Sequence, residues 1–145
     1  MGIVAVFFSG LFSLSSHCMT ITNTGRQAAL ASMAFSERTA TLRDCTWTQL
    51  TSSSYLQTSV LNNATASASQ LGSLTETITV NSYPTALNPA ISVVRNSNGT
   101  VTVATTNSAI ASGSMARVDI SLNWTGSNGR SRTEGTTTVI ARVDP

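Results

Sequence analysis

With 145 residues the chain has room for one domain and is too short for two comfortable ones. Charged residues make up 10% of it, far below the roughly 25% usual for soluble globular domains, and all eight basic residues are arginine. A formal net charge of +2, spread along the chain with only Arg130 and Arg132 close together, argues against the clustered positive charge that nucleic-acid binding requires.

Residues 1–44 hold no proline and are predicted to form one long helix, apolar over MGIVAVFFSGLFSL and amphipathic beyond it. Residues 1–24 are expected to be a hydrophobic membrane-anchor helix lacking its own beginning. The uninterrupted apolar run, about 14 residues, falls short of the roughly 20 a full span requires. A signal peptide would need a basic leader, and N-myristoylation would need Ser or Thr where Val6 stands. His17 precedes Cys18 and is too bulky for a lipoprotein processing site; it is expected to mark where the helix leaves hydrocarbon. On a continuous helix Cys18 and Cys45 lie about 40 Å apart, so no bridge within the chain is expected.

Residues 25–145 are expected to form a head that includes the amphipathic half of the helix. Leu30, Met33, Phe35 and Leu42 are assigned to its core-facing side, and Glu37 with Arg38 to a solvent-side charge pair or a cap for the head, with a subunit contact as the alternative. Residues 45–73 carry apolar anchors at Tyr55, Leu56, Val60 and Leu61, then read as a Ser/Thr/Asn-rich loop. From Leu74 the period changes to two. Strands are predicted over 74–80, 91–95 and 100–105, the last two joined by an Asn-Ser-Asn-Gly hairpin. The clearest alternation places Ala116, Val118, Ile120, Leu122 and Trp124 on one face, with Arg117, Asp119, Ser121 and Asn123 on the other. A final threonine-rich strand covers 130–141. One face of such a sheet is apolar and needs a cover, for which the helix is the candidate. The predicted fold is α+β: a long N-terminal helix packed on an antiparallel meander of four or five strands.

Chemistry is sparse. One histidine, two cysteines and six dispersed acids suggest no nucleophile with a base, no zinc or calcium motif and no carboxylate pair. No enzyme activity, cofactor, metal or small-molecule substrate is expected. The acceptor patterns at Asn63, Asn98 and Asn123 are unsurprising in a chain so rich in Asn, Ser and Thr.

Met1 to Leu14, followed by Gly25 to Arg43 with Ser36-Glu37-Arg38 and Leu42-Arg43-Asp44, resembles the N-terminal helix of bacterial type IV pilin-like proteins, particularly minor pseudopilins of type II secretion systems. The Thr46–Leu50 continuation and the final strand pair, with Trp124 before its turn and Arg130 to Thr133 after it, are loosely similar to the heads of such proteins. The family's glycine-ended leader, N-methylated phenylalanine and assembly glutamate have no counterpart here, and none is carried over. The resemblance implies a non-catalytic structural subunit of a pilus or pseudopilus, anchored in the bacterial inner membrane with its head outside the cytoplasm. Its partners would be membrane lipid and other pilin or pseudopilin subunits, with Gly2, Ala5, Ser9 and Gly10 at the helix packing surface. The alternative is an exported cell-surface adhesin or binding module.

Overall fold

The computed structural model describes residues 2–143 and all their side chains except those of residues 2–7 and 9. Helix α1, Gly2–Arg43, is continuous through Asn23, Thr24 and Gly25. At Gly25 an added Cβ would meet nothing, so glycine there is tolerated rather than required. After α1 comes the short helix α2, Trp47–Leu50. Thr46 caps it by accepting from the Gln49 amide, while the Gln49 side chain accepts from the Thr46 amide at 2.9 Å. This reciprocal cap is written in the sequence as Thr-x-x-Gln. A further turn, α3 (Ser53–Tyr55), runs into the π-helical segment Leu56–Val60, which buries Leu56 and Val60 as anchors.

Five strands follow: β1 (Thr75–Ser82), β2 (Ile91–Arg95), β3 (Val101–Thr105), β4 (Met115–Thr125) and β5 (Ser131–Ala141). They form one antiparallel sheet in the order β3-β2-β1-β4-β5. The fold is therefore the expected α+β, with one refinement of the meander. After β3 the chain crosses back so that β4 pairs with β1 over eight residues, from Thr75 opposite Asn123 to Ser82 opposite Ala116. The crossing segment buries Ile110. Both tight hairpins turn on a glycine with positive φ, Gly99 at 85° and Gly129 at 73°, a conformation that strains any residue with a Cβ.

The strand alternation is as the sequence indicates. Ile78 and Val80 of β1, Ile91 and Val93 of β2, and Ala116, Val118, Ile120, Leu122 and Trp124 of β4 are all buried on one face. The half of α1 nearest the head covers that face through Ala31, Ala34, Arg38 and Leu42, a spacing of three to four residues that keeps them on one stripe. Leu30 and Phe35 flank the stripe, half-buried. Met33 does not belong to it: at about 100° per residue it lies about 200° round the helix from Ala31, and it is 57% exposed. The core position assigned to Met33 is thus corrected. Alanines replace the bulky groups expected there, and their small size lets the helix backbone approach Leu122 and Trp124.

A second correction concerns the membrane. Among the described residues, no helix is long and apolar enough to cross one. Ser13, Ser15, Ser16, His17, Thr20 and Thr22 interrupt the greasy run within two turns of its end. The expected inner-membrane anchor, transmembrane helix and inner-membrane location are overturned by this finding.

Candidate functional site

Two features of α1 stand out, a buried clamp that holds its second half and an unaccompanied apolar surface on its first half. The clamp centres on Arg38, which is 4% exposed and faces Glu76 of β1 at 1%. The guanidinium makes a two-pronged contact, Nε to Oε1 at 2.6 Å and Nη2 to Oε2 at 2.8 Å. Its remaining donors go to the carbonyls of Val60 and, at 3.1 Å, Asn63. The planar fork matches a carboxylate in a way lysine would not. These donors tie three parts of the chain together: the helix, the central strand and the segment from Val60 to Asn63.

Glu37 holds the same loop from the next position. It accepts from the Ser67 hydroxyl at 2.7 Å and from the Ser67 amide at 3.4 Å. Arg26 adds a contact to Gln70 at 3.4 Å. The expected solvent-side Glu37–Arg38 pair therefore does not form; the two side chains diverge to different partners. A sign of this was legible in β1, where Glu76 falls in phase with Leu74, Ile78 and Val80. An acid on the buried side of a strand demands a cation, and Arg38 was the arginine within reach of the covering helix.

Hydrogen bonding from Ser67 holds the Glu37 carboxyl below the ordinary glutamate range, against the smaller opposing effect of desolvation. Because the folded pKa is depressed, the stability this adds is complete above the unfolded value of about 4.3. It is lost as pH falls through the folded pKa. Ser67→Ala is expected to raise the Glu37 pKa toward its ordinary value in a carboxyl NMR titration; an unmoved titration curve would refute the assignment.

The first half of α1 has no such partners. Every described residue from Phe8 to Asn23 is exposed. Phe12 reaches 83%, and Phe8, Leu11, Leu14, Met19 and Ile21 also present large apolar surface. The β4–β5 turn comes near it at Ser127, where a shallow groove of about 430 Å³ is lined by Phe12, Ser15, Ser16, Met19 and Asn23. Thr20 and Thr22 hydroxyls donate to the carbonyls of Ser16 at 3.0 Å and Cys18 at 2.9 Å. These bonds turn the polar groups inward along the helix.

Of the residues assigned to helix packing, Gly10 is exposed, and an added Cβ would meet nothing within 4 Å. The side chains of Gly2, Ala5 and Ser9 lie outside the described residues. His17 and Cys18 are exposed, while Cys45 is half-buried with its thiol against the Thr41 carbonyl at 3.3 Å. Both cysteines are free. Burial, and secondarily the charge of Asp44, push the Cys45 thiol pKa up, which leaves it a poor nucleophile. On the outer face of β4, Arg117 contacts both carboxylate oxygens of Asp119 at 3.0 Å, and Thr137 donates to Asp119 at 2.6 Å. Among the described residues no cluster of three His, Cys, Asp or Glu has a geometry for metal.

The architecture, a long N-terminal helix packed on an antiparallel sheet, is pilin-like. Comparison with protein-family models, with curated proteins and with solved structures finds no match for this chain.

Proposed function

We propose that this chain is a non-catalytic structural subunit of the type IV pilin and pseudopilin class. In this reading the free segment of α1 is covered by the corresponding helices of other such subunits. The observation that carries it is the distribution of exposed apolar groups around that segment. Phe8, Phe12 and Met19 share one side, and Leu14 and Ile21 lie about 220° round from Phe8 at the helical repeat. A helix with one greasy stripe is satisfied by one neighbour, whereas one that is apolar on several sides is stable only when surrounded. Full burial of each such side chain contributes about 1.5–3 kcal/mol, so covering even half of them outweighs a substantial ordering cost.

In this reading Gly10 supplies a small surface at which two helix backbones can approach. Gly10→Leu tests this, because a Cβ added at Gly10 meets nothing within 4 Å. Head stability is expected to be unchanged in urea titrations. Crosslinking between neighbouring chains through residues 8–21 is expected to fall roughly tenfold, as overpacking costs about 1–3 kcal/mol at a tight contact. Undiminished crosslinking would defeat the proposal.

A further inference from the structure

The sheet ends in two unlike edges. β3 is short, five residues, and its pairing with β2 is irregular between Ser92 and Val93. Short length and irregularity are the usual ways an edge is kept from pairing with another chain. β5 has neither protection. It is 11 residues long, pairs with β4 in unbroken register from Thr125–Ser131 to Met115–Ala141, and contains no proline or lysine.

The register decides which of its main-chain groups are free. At the two ends of the ladder the Gly126 amide bonds to Arg130 at 2.8 Å and the Arg142 amide to Ser114 at 2.7 Å. Even-numbered residues of β5 therefore exchange hydrogen bonds with β4, and the odd-numbered ones, among them Ser131, Thr133, Gly135, Thr137 and Val139, direct theirs outward. All five are exposed. Arg132 and Glu134 flank Thr133 on the face that looks toward α1, and Glu134 lines a groove between β5 and the helix residues Ser32, Ser36, Thr39 and Arg43. The ion pairs among the described residues are Arg38–Glu76 and Arg117–Asp119, and neither Arg132 nor Glu134 takes part in one.

We infer that β5 is an interface at which a second copy of this chain adds its own β5 antiparallel, with Thr133 facing Thr133 across a two-fold axis. This register is the one that sets Arg132 opposite the partner's Glu134 and Glu134 opposite the partner's Arg132. Thr133 and the Ser131–Gly135 pairs then exchange about six main-chain hydrogen bonds using groups the monomer leaves free. Gly135 carries no side chain to obstruct the seam. Helix α1 packs Ala31 and Ala34 against Leu122 and Trp124 of β4, and its Ser32, Ser36 and Thr39 stand beside β5 at Glu134 and Thr136. The interface uses a surface different from the free half of α1 and stands independently of the function proposed above.

The test is site-directed crosslinking in the full chain with Cys18→Ser and Cys45→Ser as background. Thr133→Cys is expected to form a homodimeric disulfide under mild oxidation, since facing residues of a hydrogen-bonded antiparallel pair lie about 5.5 Å apart, within disulfide range. Adding Glu134→Arg should cut the rate of crosslinking about tenfold, because two like-charge pairs replace two attractive ones. Adding Arg132→Glu to that variant should restore it. Thr133→Pro removes an outward amide that β4 does not use, and in equilibrium sedimentation it should weaken dimerisation while circular dichroism stays unchanged. Gly10→Leu in the same background should leave the Thr133→Cys crosslink intact, which separates failure of this interface from failure of the helix contact. Absence of the disulfide, or a charge reversal without effect, or a double reversal that fails to rescue, would overturn the inference.

Discussion

Arg38→Ala is expected to destabilise the head by about 3–5 kcal/mol, the range for removing one partner of a buried ion pair and leaving its counter-charge unpaired. The cost has two sources. Glu76, at 1% exposure, loses both of its contacts with the guanidinium. The carbonyls of Val60 and Asn63 lose their donor from Arg38 as well. The paired substitution Arg38→Met with Glu76→Leu is expected to cost far less than the single change, because no buried charge is stranded and the site fills with apolar volume. Chemical denaturation of the two variants beside the parent is the measurement, with the midpoint and slope both followed. If the single and paired variants unfold alike, the clamp does not operate as an ion pair.

The second large effect belongs to Leu42. Among the described residues of α1 it is the one large aliphatic side chain that is fully buried, in a core cluster with Leu50, Leu56 and Ile78. Leu42→Ala is expected to cost about 2–5 kcal/mol, the lost transfer energy plus whatever cavity the surroundings cannot close. Met33→Ala, a comparable truncation nine residues earlier on the same helix, is expected to stay within about 0.5 kcal/mol because its side chain stands in water. A thermal melt of both variants would separate a face centred on Leu42 from the broader one suggested by composition. Equal losses would mean that Met33 reaches the core after all.

The strands were the most legible part of the chain, because period-two alternation is short-range and Ala116 to Trp124 satisfies it without exception. The helix was legible as an element and misleading as a surface. Bulk drew attention to Met33, while the contact face is made of Ala31, Ala34 and Arg38, residues whose role depends on how near the sheet comes. Residues 45–73 resisted reading because much of their order comes from distant partners: Arg38 and Glu37 hold the loop, while local side-chain caps such as Thr46–Gln49 and Ser52–Tyr55 fix only short turns. The apolar start of α1 suggested lipid through its composition, yet with the serines and threonines that follow it no helix among the described residues is long and apolar enough to cross a bilayer. The β5 edge could not be foreseen at all, since which strand lies outermost depends on the return of β4 to β1.

Arg38 meets the sheet at β1, which lies in the middle of the order with two strands on either side. Beyond the lighter contacts of Arg26, Ala31 and Ala34, a pull on the free end of the rod therefore meets a rigid fork at the central strand, from which load spreads sideways in both directions. Such a load path resists peeling, which begins most easily when force arrives at an outer strand. The head is thus built to transmit tension from its stalk as one body.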